Sequence, residues 1–182
     1  LGDVRMVMFA DRPWEMRAPV LNHGRELHEK YHGRPAPTPM LTDFAICAES
    51  NDQAEEWARQ YQGMFTESNF YHYEFLGEHF KNVKGYGGYQ EKAEFARKMG
   101  GDLTSAVDNF MKAACWGTPD RILRQLDDRR QIMGDYELNV SFRFGGTPMK
   151  VSEEGLKLFA KEVLPVLKTW ETTDNSVSSA AE

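Results

Sequence analysis

Residues 116–170 constrain the fold most, because they hold a turn, a helix, a strand, a loop and a second helix in unbroken succession. Thr118 suits a helix N-cap, where its hydroxyl can accept a bond from a free backbone N–H. Pro119 suits the first helical position, where no backbone donor is needed. The helix runs to Gly134 and a strand follows over residues 138–144. This order favours an α/β protein.

The helix and the strand each have two different sides. Apolar residues at three-to-four spacing predict a buried side of the helix, and charged residues predict an exposed side. Polar and apolar residues alternate along the strand, so Arg143 lies on the polar face near the carboxyl end, where α/β folds build ligand sites. The apolar positions are Ile122, Leu123, Leu126 and Ile132 in the helix and Leu138, Val140, Phe142 and Phe144 in the strand. The charged positions assigned to solvent are Arg121, Arg124, Asp127, Asp128, Arg129 and Arg130.

Several strings resemble the C-terminal end of the bacterial luciferase-like monooxygenases. They are WGTPDRILRQL, FRFGG and LKLFAKEVLPVLK, with VRMVMF, PWE and PMLTDF upstream. The resemblance covers nearly all of residues 1–170. It implies an α/β fold made of the last three strand–helix units of a (β/α)8 (TIM-type) barrel, with a long helical insertion over residues 52–115 between the final two strands.

The resemblance also implies an activity. Members of this family are flavin- or deazaflavin-dependent enzymes, so we expect an oxidoreductase that oxidises a small organic substrate with reduced FMN and oxygen, the flavin coming from a flavin reductase. The residues expected to touch the cofactor are Arg143, Phe144, Gly145 and Gly146. For the two glycines a tight exit turn is an equal interpretation. The catalytic residues are expected before Leu1, and a shortened, non-catalytic flavin-binding or assembly module is the alternative function.

Asp43 is a carboxylate in an otherwise apolar strand over residues 40–48. A lone buried carboxylate is costly, so it should find a cation or hydrogen-bond donors. We expect Asp43 and Arg143 to meet inside the barrel from adjacent strands. A structural ion pair is the preferred interpretation, ahead of a catalytic carboxylate.

The first strand and helix follow simple patterns. Residues 4–10 form a nearly continuous apolar run, which is typical of a strand buried on both faces of a parallel sheet. Residues 13–31 predict a helix, and Gly33 ends it. The residues assigned to one side of this helix are Trp14, Val20, Leu21, Leu27 and Tyr31.

His28, Glu29 and His32 match the H-E-x-x-H pattern of zinc peptidases, in which two histidines one turn apart bind the metal. Leu27 and Tyr31 are assigned to the buried side here, so both histidines should lie near solvent. No third ligand stands at a fixed spacing. A zinc metallopeptidase is therefore the less favoured function, and no metal is expected.

The predicted insertion is rich in aromatic residues. Such stripes usually fill a core, but as a group they could also line a substrate pocket. The residues assigned to that pocket are Phe70, Tyr73 and His79 from the insertion, with Phe9 and Asp43 from the strands.

Composition narrows the remaining classes. The 182 residues carry a formal net charge of −6 without a basic cluster, which disfavours nucleic-acid binding. Cys47 and Cys115 make no disulfide framework and no apolar run is long enough for a membrane span, so a cytoplasmic protein is expected. Residues 171–182 suggest a disordered tail. Three strand–helix units leave open edges, so we expect missing N-terminal strands or a homo-oligomer, usually a dimer.

Overall fold

The computed structural model describes residues 5–98 and 102–170, so the predicted tail over 171–182 lies outside the described residues. The strands are β1 (Val7–Phe9), β2 (Met40–Phe44), β3 (Ile46–Cys47), β4 (Trp116–Gly117) and β5 (Glu137–Ser141). The helices are α1 (Trp14–His32), α2 (Asn51–His72), α3 (Gly87–Lys98), α4 (Thr104–Ala113), α5 (Pro119–Met133), α6 (Met149–Leu158) and α7 (Leu164–Leu167), with a π-helical turn, Phe159–Val163, between the last two.

The three predicted strands lie in one parallel sheet in the order β1-β2-β5. Met8, Leu41 and Leu138 stand side by side in the register, and so do Phe9, Thr42 and Asn139. Because side chains alternate along each strand, the first row points to one face and the second row to the other. The prediction of a mixed α/β fold with a parallel sheet is confirmed.

Helices α1 and α5 cover the first of these faces. Met8 and Leu41 are buried against Trp14 and Leu21 of α1. Ile122 and Leu126 of α5 form a second buried cluster, against which Leu138 and Val140 of β5 pack. We call the other face, which carries Phe9, Thr42 and Asn139, the open face.

The open face explains why one strand prediction was wrong. Residues 4–10 were expected to be buried on both sides, but Val7 is 53% exposed and Phe9 is 51% exposed, while Met8 between them is buried. Among the described residues, helices pack on β1 only at the face that carries Met8. A continuous apolar run cannot reveal that the cover is one-sided.

Two short strands were not predicted. Residues 40–48 divide at Ala45 into β2 and β3, and β3 pairs in parallel with β4. The backbone N–H of Ala45 donates to Ser141 and that of Ile46 donates to Cys115. Successive N–H groups point to opposite edges of an extended chain, so β4 and β5 lie on opposite edges of this central strand.

Helix α1 differs from the prediction in which residues it buries. Trp14 and Leu21 are buried as expected, but Val20, Leu27 and Tyr31 are exposed. Gly33 ends the helix in the left-handed conformation, as predicted.

Helix α5 begins at Pro119 after Thr118, as predicted, although the Thr118 side chain does not cap it. Instead, the Thr118 N–H donates to Oδ1 of Asn51 at 3.1 Å, which joins the starts of α5 and α2. None of the described helices is long and apolar enough to cross a membrane.

Candidate functional site

The candidate site lies where the open face meets the carboxyl end of β2. Phe44, the last residue of β2, is on the same face as Phe9 and Thr42, because it alternates with Asp43. The Phe44 ring lies 6.5 Å from the ring of Phe9 and 4.6 Å from that of Phe65 on α2. Asn139 of β5 lies alongside and its amide donates to the Thr42 hydroxyl at 3.4 Å.

Aromatic side chains from α4 and from the turn after β5 also close the carboxyl end of this face. The ring of Phe144 lies 5.3 Å from that of Phe44, and the ring of Phe110 on α4 lies 6.3 Å from it. Phe144 is buried in this cluster, whereas Phe9 at its border is half exposed. The result is an apolar floor that is closed under α2 and α4 and accessible at Phe9.

The predicted cofactor residues other than Phe144 stand next to it in the turn after β5, and their surroundings differ. Arg143 is exposed, and its carbonyl accepts a bond from the Ser141 hydroxyl at 3.3 Å. Gly145 and Gly146 both have positive φ, of 55° and 80°. A Cβ on Gly145 would overlap the Tyr61 carbonyl oxygen of α2. The turn is therefore packed directly on the backbone of α2.

Asp43 does not meet Arg143, so that prediction was wrong. In the register Asp43 stands beside Val140 and is fully buried, whereas Arg143 lies beyond the end of β5 and is exposed. Asp43 is buried on the helix-covered face, where its Oδ2 accepts a bond from Nη2 of Arg129 at 2.6 Å. The expectation that this carboxylate finds a cation and hydrogen-bond donors is confirmed, with a different cation.

The other oxygen of Asp43 binds the backbone. Its Oδ1 accepts bonds from the N–H of Phe44 at 2.8 Å and from the N–H of Cys115 at 3.0 Å. The carboxylate therefore ties the carboxyl end of β2 to the chain that enters β4. Asp43 acts on the aromatic floor indirectly, because it fixes the backbone of Phe44.

Arg129 was missed because a charged residue was assigned to solvent. Its Nη2 also donates to the carbonyl of Ala113 at 2.9 Å, and its guanidinium lies 4.4 Å from the centre of the Trp14 ring. Ile122, Leu126, Arg129 and Met133 are the buried residues of α5. Their spacing of four, three and four residues is that of an apolar stripe, which is the signal that could have identified Arg129 as buried.

Burial governs the titration of the groups around this ion pair. Burial disfavours the charge on Arg129, but the adjacent Asp43 carboxylate opposes this effect and leaves the guanidinium pKa raised. Burial raises the pKa of the Cys115 thiol well above its usual value, and burial also raises the pKa of Cys47 to about 11. Both thiols are therefore protonated at neutral pH, which makes them poor nucleophiles.

The aromatic residues of segment 70–89 pack chiefly against one another. Phe75 and Phe80 are buried with Ala93, and Phe70 packs against them. The rings of Tyr73 and Phe75 lie 5.5 Å apart, and those of His79 and Phe80 lie 4.0 Å apart. Among the described residues, no ring contact joins this cluster to Phe9 or Phe44.

Tyr89 in the aromatic segment has a raised pKa. Burial raises the pKa of Tyr89, and Tyr73 and Asp11 raise it further. Asp11, in the loop after β1, contributes the smallest of these effects.

The H-E-x-x-H residues do not assemble a metal centre. The rings of His28 and His32 stack with centroids 4.4 Å apart, and Glu29 and His32 are exposed. Nδ1 of His28 lies 3.1 Å from the Arg34 carbonyl. Within residues 5–98 and 102–170 no group of three or more His, Cys, Asp or Glu side chains could hold a metal ion.

Comparison with known proteins gives matches among solved structures. No family model and no curated protein matches the chain. The monooxygenase RslO1 from Streptomyces bottropensis is 20% identical, with a TM-score of 0.57 over 90% of this chain and 42% of that one. The oxygenating constituent of 3,6-diketocamphane monooxygenase from Pseudomonas putida, solved in complex with FMN, is 16% identical, with a TM-score of 0.52 over 87% of this chain and 42% of that one.

The chain thus spans less than half the length of either structure. Structural similarity at identities this low shows a shared fold. The resemblance predicted from the sequence is confirmed at that level: the chain has the fold of part of a luciferase-like flavin-dependent monooxygenase.

Proposed function

We propose that this chain is part of a flavin-dependent monooxygenase that oxidises a small organic substrate with reduced FMN and oxygen. The observation that carries the proposal is the aromatic floor at the carboxyl end of the parallel sheet, in a fold shared with an FMN-bound monooxygenase. Ligands of α/β proteins bind at this end of the strands.

The residues of the floor fit the ring system of a flavin. A flavin ring is flat and largely apolar, and the exposed Phe9 beside Phe44 offers a surface of that kind. When bound, the flavin supplies the redox chemistry, and the protein orients it and tunes its charge. In this proposal the exposed guanidinium of Arg143 stabilises negative charge on the flavin or on the substrate.

The turn after β5 fits a flavin phosphate less well. The Tyr61 carbonyl occupies the space that a side chain at Gly145 would fill, so Gly145 is needed for close packing against α2. Gly146 meets only the end of the flexible Met64 side chain, 2.9 Å from a Cβ at that position. Of the two glycines, Gly146 is the one whose backbone we propose for a cofactor contact.

The aromatic segment is proposed to border the substrate. Tyr73 is partly exposed and its ring lies 5.5 Å from that of Tyr89, which in turn is influenced by Asp11 after β1. The ring contact of Tyr73 with Tyr89 and the electrostatic effect of Asp11 on Tyr89 are the observations behind the proposed position of Phe70, Tyr73 and His79 beside the carboxyl end of the sheet. Asp43 contributes to the pocket through the backbone of Phe44, since its carboxylate is buried on the other face.

A flavin titration tests the cofactor part of the proposal. Wild-type protein is expected to quench FMN fluorescence on binding, and Arg143→Gln is expected to bind FMN about tenfold more weakly, since a charge-assisted bond contributes about 1.5–3 kcal/mol. Arg124→Gln, which removes an exposed charge from α5, is the matched control and should bind as wild type does. Absence of FMN binding by the wild type would refute the cofactor assignment.

A non-catalytic flavin-binding module is the second candidate, because the chain spans only 42% of each neighbouring structure. Oxygen consumption with a flavin reductase, NADH and a panel of small ketones and aldehydes separates the two. Substrate-dependent oxygen uptake, matched by an oxygenated product, supports the monooxygenase. FMN binding without any product supports the module.

A further inference from the structure

Met64 on α2 has its thioether beside the turn that follows β5. Its side chain is 46% exposed. Its Cε atom lies 2.9 Å, and its sulfur 3.8 Å, from the position that a Cβ on Gly146 would take. Gly146 is the residue whose backbone is proposed to contact the flavin. The sulfur of Met64 is therefore both accessible and next to the proposed cofactor contact.

The rest of this helical turn places Met64 at the aromatic floor. Residues three and four positions apart lie on one side of a helix, so Tyr61, Met64 and Phe65 share one side of α2. The Tyr61 carbonyl packs on Gly145, and the ring of Phe65 lies 4.6 Å from that of Phe44. Met64 lies between these two contacts along α2. This side of α2 thus brings a sulfur to the edge where the floor meets the turn after β5.

A second exposed methionine provides an internal reference. Met16 is 60% exposed on α1, which covers the face of the sheet opposite the open face. It is therefore more accessible than Met64, but it belongs to a helix behind the sheet. An oxidant in bulk solution should attack Met16 at least as fast as Met64, whereas an oxidant formed at the floor should prefer Met64.

The reaction proposed for this site suits a thioether as the acceptor. A monooxygenase adds one atom of O2 to its substrate and releases the other atom as water. With methionine as the acceptor, the O–O bond breaks, an S–O bond forms and the sulfur is oxidised to a sulfoxide. The second oxygen atom leaves as water with the two hydrogens given up by reduced FMN. O2, reduced FMN and the thioether therefore give water, oxidised FMN and the sulfoxide.

We propose that Met64 is a self-oxygenation site, whose sulfur takes the oxygen atom when no organic substrate is bound. The inference rests on the proposed function, because the same reaction supplies the oxygen atom. A sulfoxide is polar and larger than a thioether by one oxygen atom, and the end of the Met64 side chain already fills the space beside Gly146. The modified side chain displaces the turn and weakens FMN binding. Turnover without substrate therefore lowers FMN affinity until a methionine sulfoxide reductase restores the thioether.

Oxygen labelling and peptide mass spectrometry test the site. The wild-type protein is supplied with FMN, flavin reductase, NADH and 18O2, without organic substrate and with catalase to remove hydrogen peroxide from solution. Met64 should gain 18O about tenfold faster than Met16, since a group held beside the reaction competes at a high effective concentration. Unlabelled hydrogen peroxide without FMN is the reference reaction, and it should oxidise Met16 at least as fast as Met64.

Binding measurements on two variants test the consequence. Met64→Leu removes the sulfur with little change in volume, and Met16→Leu is the matched control. The Kd for FMN of each protein is measured before and after the reaction with reduced FMN and oxygen. It should rise about fivefold in the wild type and in Met16→Leu but stay constant in Met64→Leu. Methionine sulfoxide reductase should return the wild type to its first value.

The outcomes separate this inference from the proposed function. Equal uptake of 18O at Met64 and Met16 in a protein that binds FMN would overturn the inference alone. A Kd for FMN that rises as much in Met64→Leu as in the wild type would overturn the effect of the sulfoxide on binding. A wild-type chain that binds no FMN would overturn both proposals.

Discussion

At the scale of single residues, the buried pair of Asp43 and Arg129 joins the sheet to the helices around it. Both side chains are buried, and together they bind β2, the end of α4, the beginning of β4 and α5. Removal of one partner from a buried pair leaves an uncompensated charge, which costs about 3–5 kcal/mol. We therefore expect Arg129→Met to lower the free energy of unfolding by about that amount in urea denaturation.

A double variant without buried charges shows how much of the loss in stability is due to the uncompensated charge. In Asp43→Asn/Arg129→Met no buried charge is left, so the double variant should recover part of the stability that Arg129→Met loses. Arg124→Met changes an exposed arginine of the same helix and should shift the free energy by less than about 0.5 kcal/mol. An Arg129→Met protein within about 1 kcal/mol of wild type would show that the guanidinium contributes little.

At the scale of the elements, the turn after β5 and helix α2 fit together through one glycine. Gly145→Ala would place a methyl group on the Tyr61 carbonyl in a backbone conformation with φ of 55°, and a carbonyl of a helix cannot move aside. Strain and overlap together should cost about 2–4 kcal/mol of stability. Gly146→Ala meets only the Met64 side chain and should cost about 1–2 kcal/mol.

Thermal unfolding of the two glycine variants measures this difference. Equal losses would mean that the contact with α2 is not decisive and that the positive φ alone sets the cost. If Gly145→Ala kept wild-type stability but lost FMN binding, Gly145 would be needed for the ligand. That result would contradict the packing role that its contact with α2 indicates.

The sequence predicts an element well where the signal is local. The start of α5 at Pro119 and the end of α1 at Gly33 depend on backbone restrictions that neighbouring residues impose, and both are found where predicted. The three strands of the sheet follow from apolar runs of strand length, whereas their parallel arrangement was implied by the family resemblance. The alternation predicted over residues 138–144 holds for Leu138, Val140 and Phe142, which pack on the helix-covered face, but it was wrong for Phe144, because β5 ends at Ser141 and Phe144 lies against Phe44 instead.

Errors arose where a property depends on distant parts of the chain. Asp43 and Arg143 were paired because a buried carboxylate needs a cation and the two residues were expected on adjacent strands, but Asp43 is buried against Arg129 of α5 and Arg143 is exposed beyond β5. Arg129 was assigned to solvent because of its charge, although its position continues the apolar stripe of α5. Val20, Leu27 and Tyr31 were assigned to the core because they are apolar, although the core side of α1 holds Trp14 and Leu21.

At the scale of the whole molecule, buried side chains fall into two regions of different extent. Three clusters of seven or eight buried residues surround the sheet, α1, α2, α4 and α5. The aromatic segment has a cluster of its own, with Phe75, Phe80 and Ala93 as its buried residues. A core of three residues supplies far less stabilisation than the clusters around the sheet.

This division predicts unequal local stability. Backbone amides of residues 74–98 should exchange with deuterium at least 100-fold faster than those of β2 and α5, because opening this segment exposes only the small cluster. Hydrogen exchange followed by mass spectrometry measures both sets in one sample, and the exposed turns of α6 control for simple fraying. In the proposed function this segment borders the substrate, and a segment that opens separately can admit a ligand without unfolding the sheet. Protection of residues 74–98 equal to that of β2 would show that the segment is part of the main cooperative unit, and it would then serve as a fixed wall of the pocket.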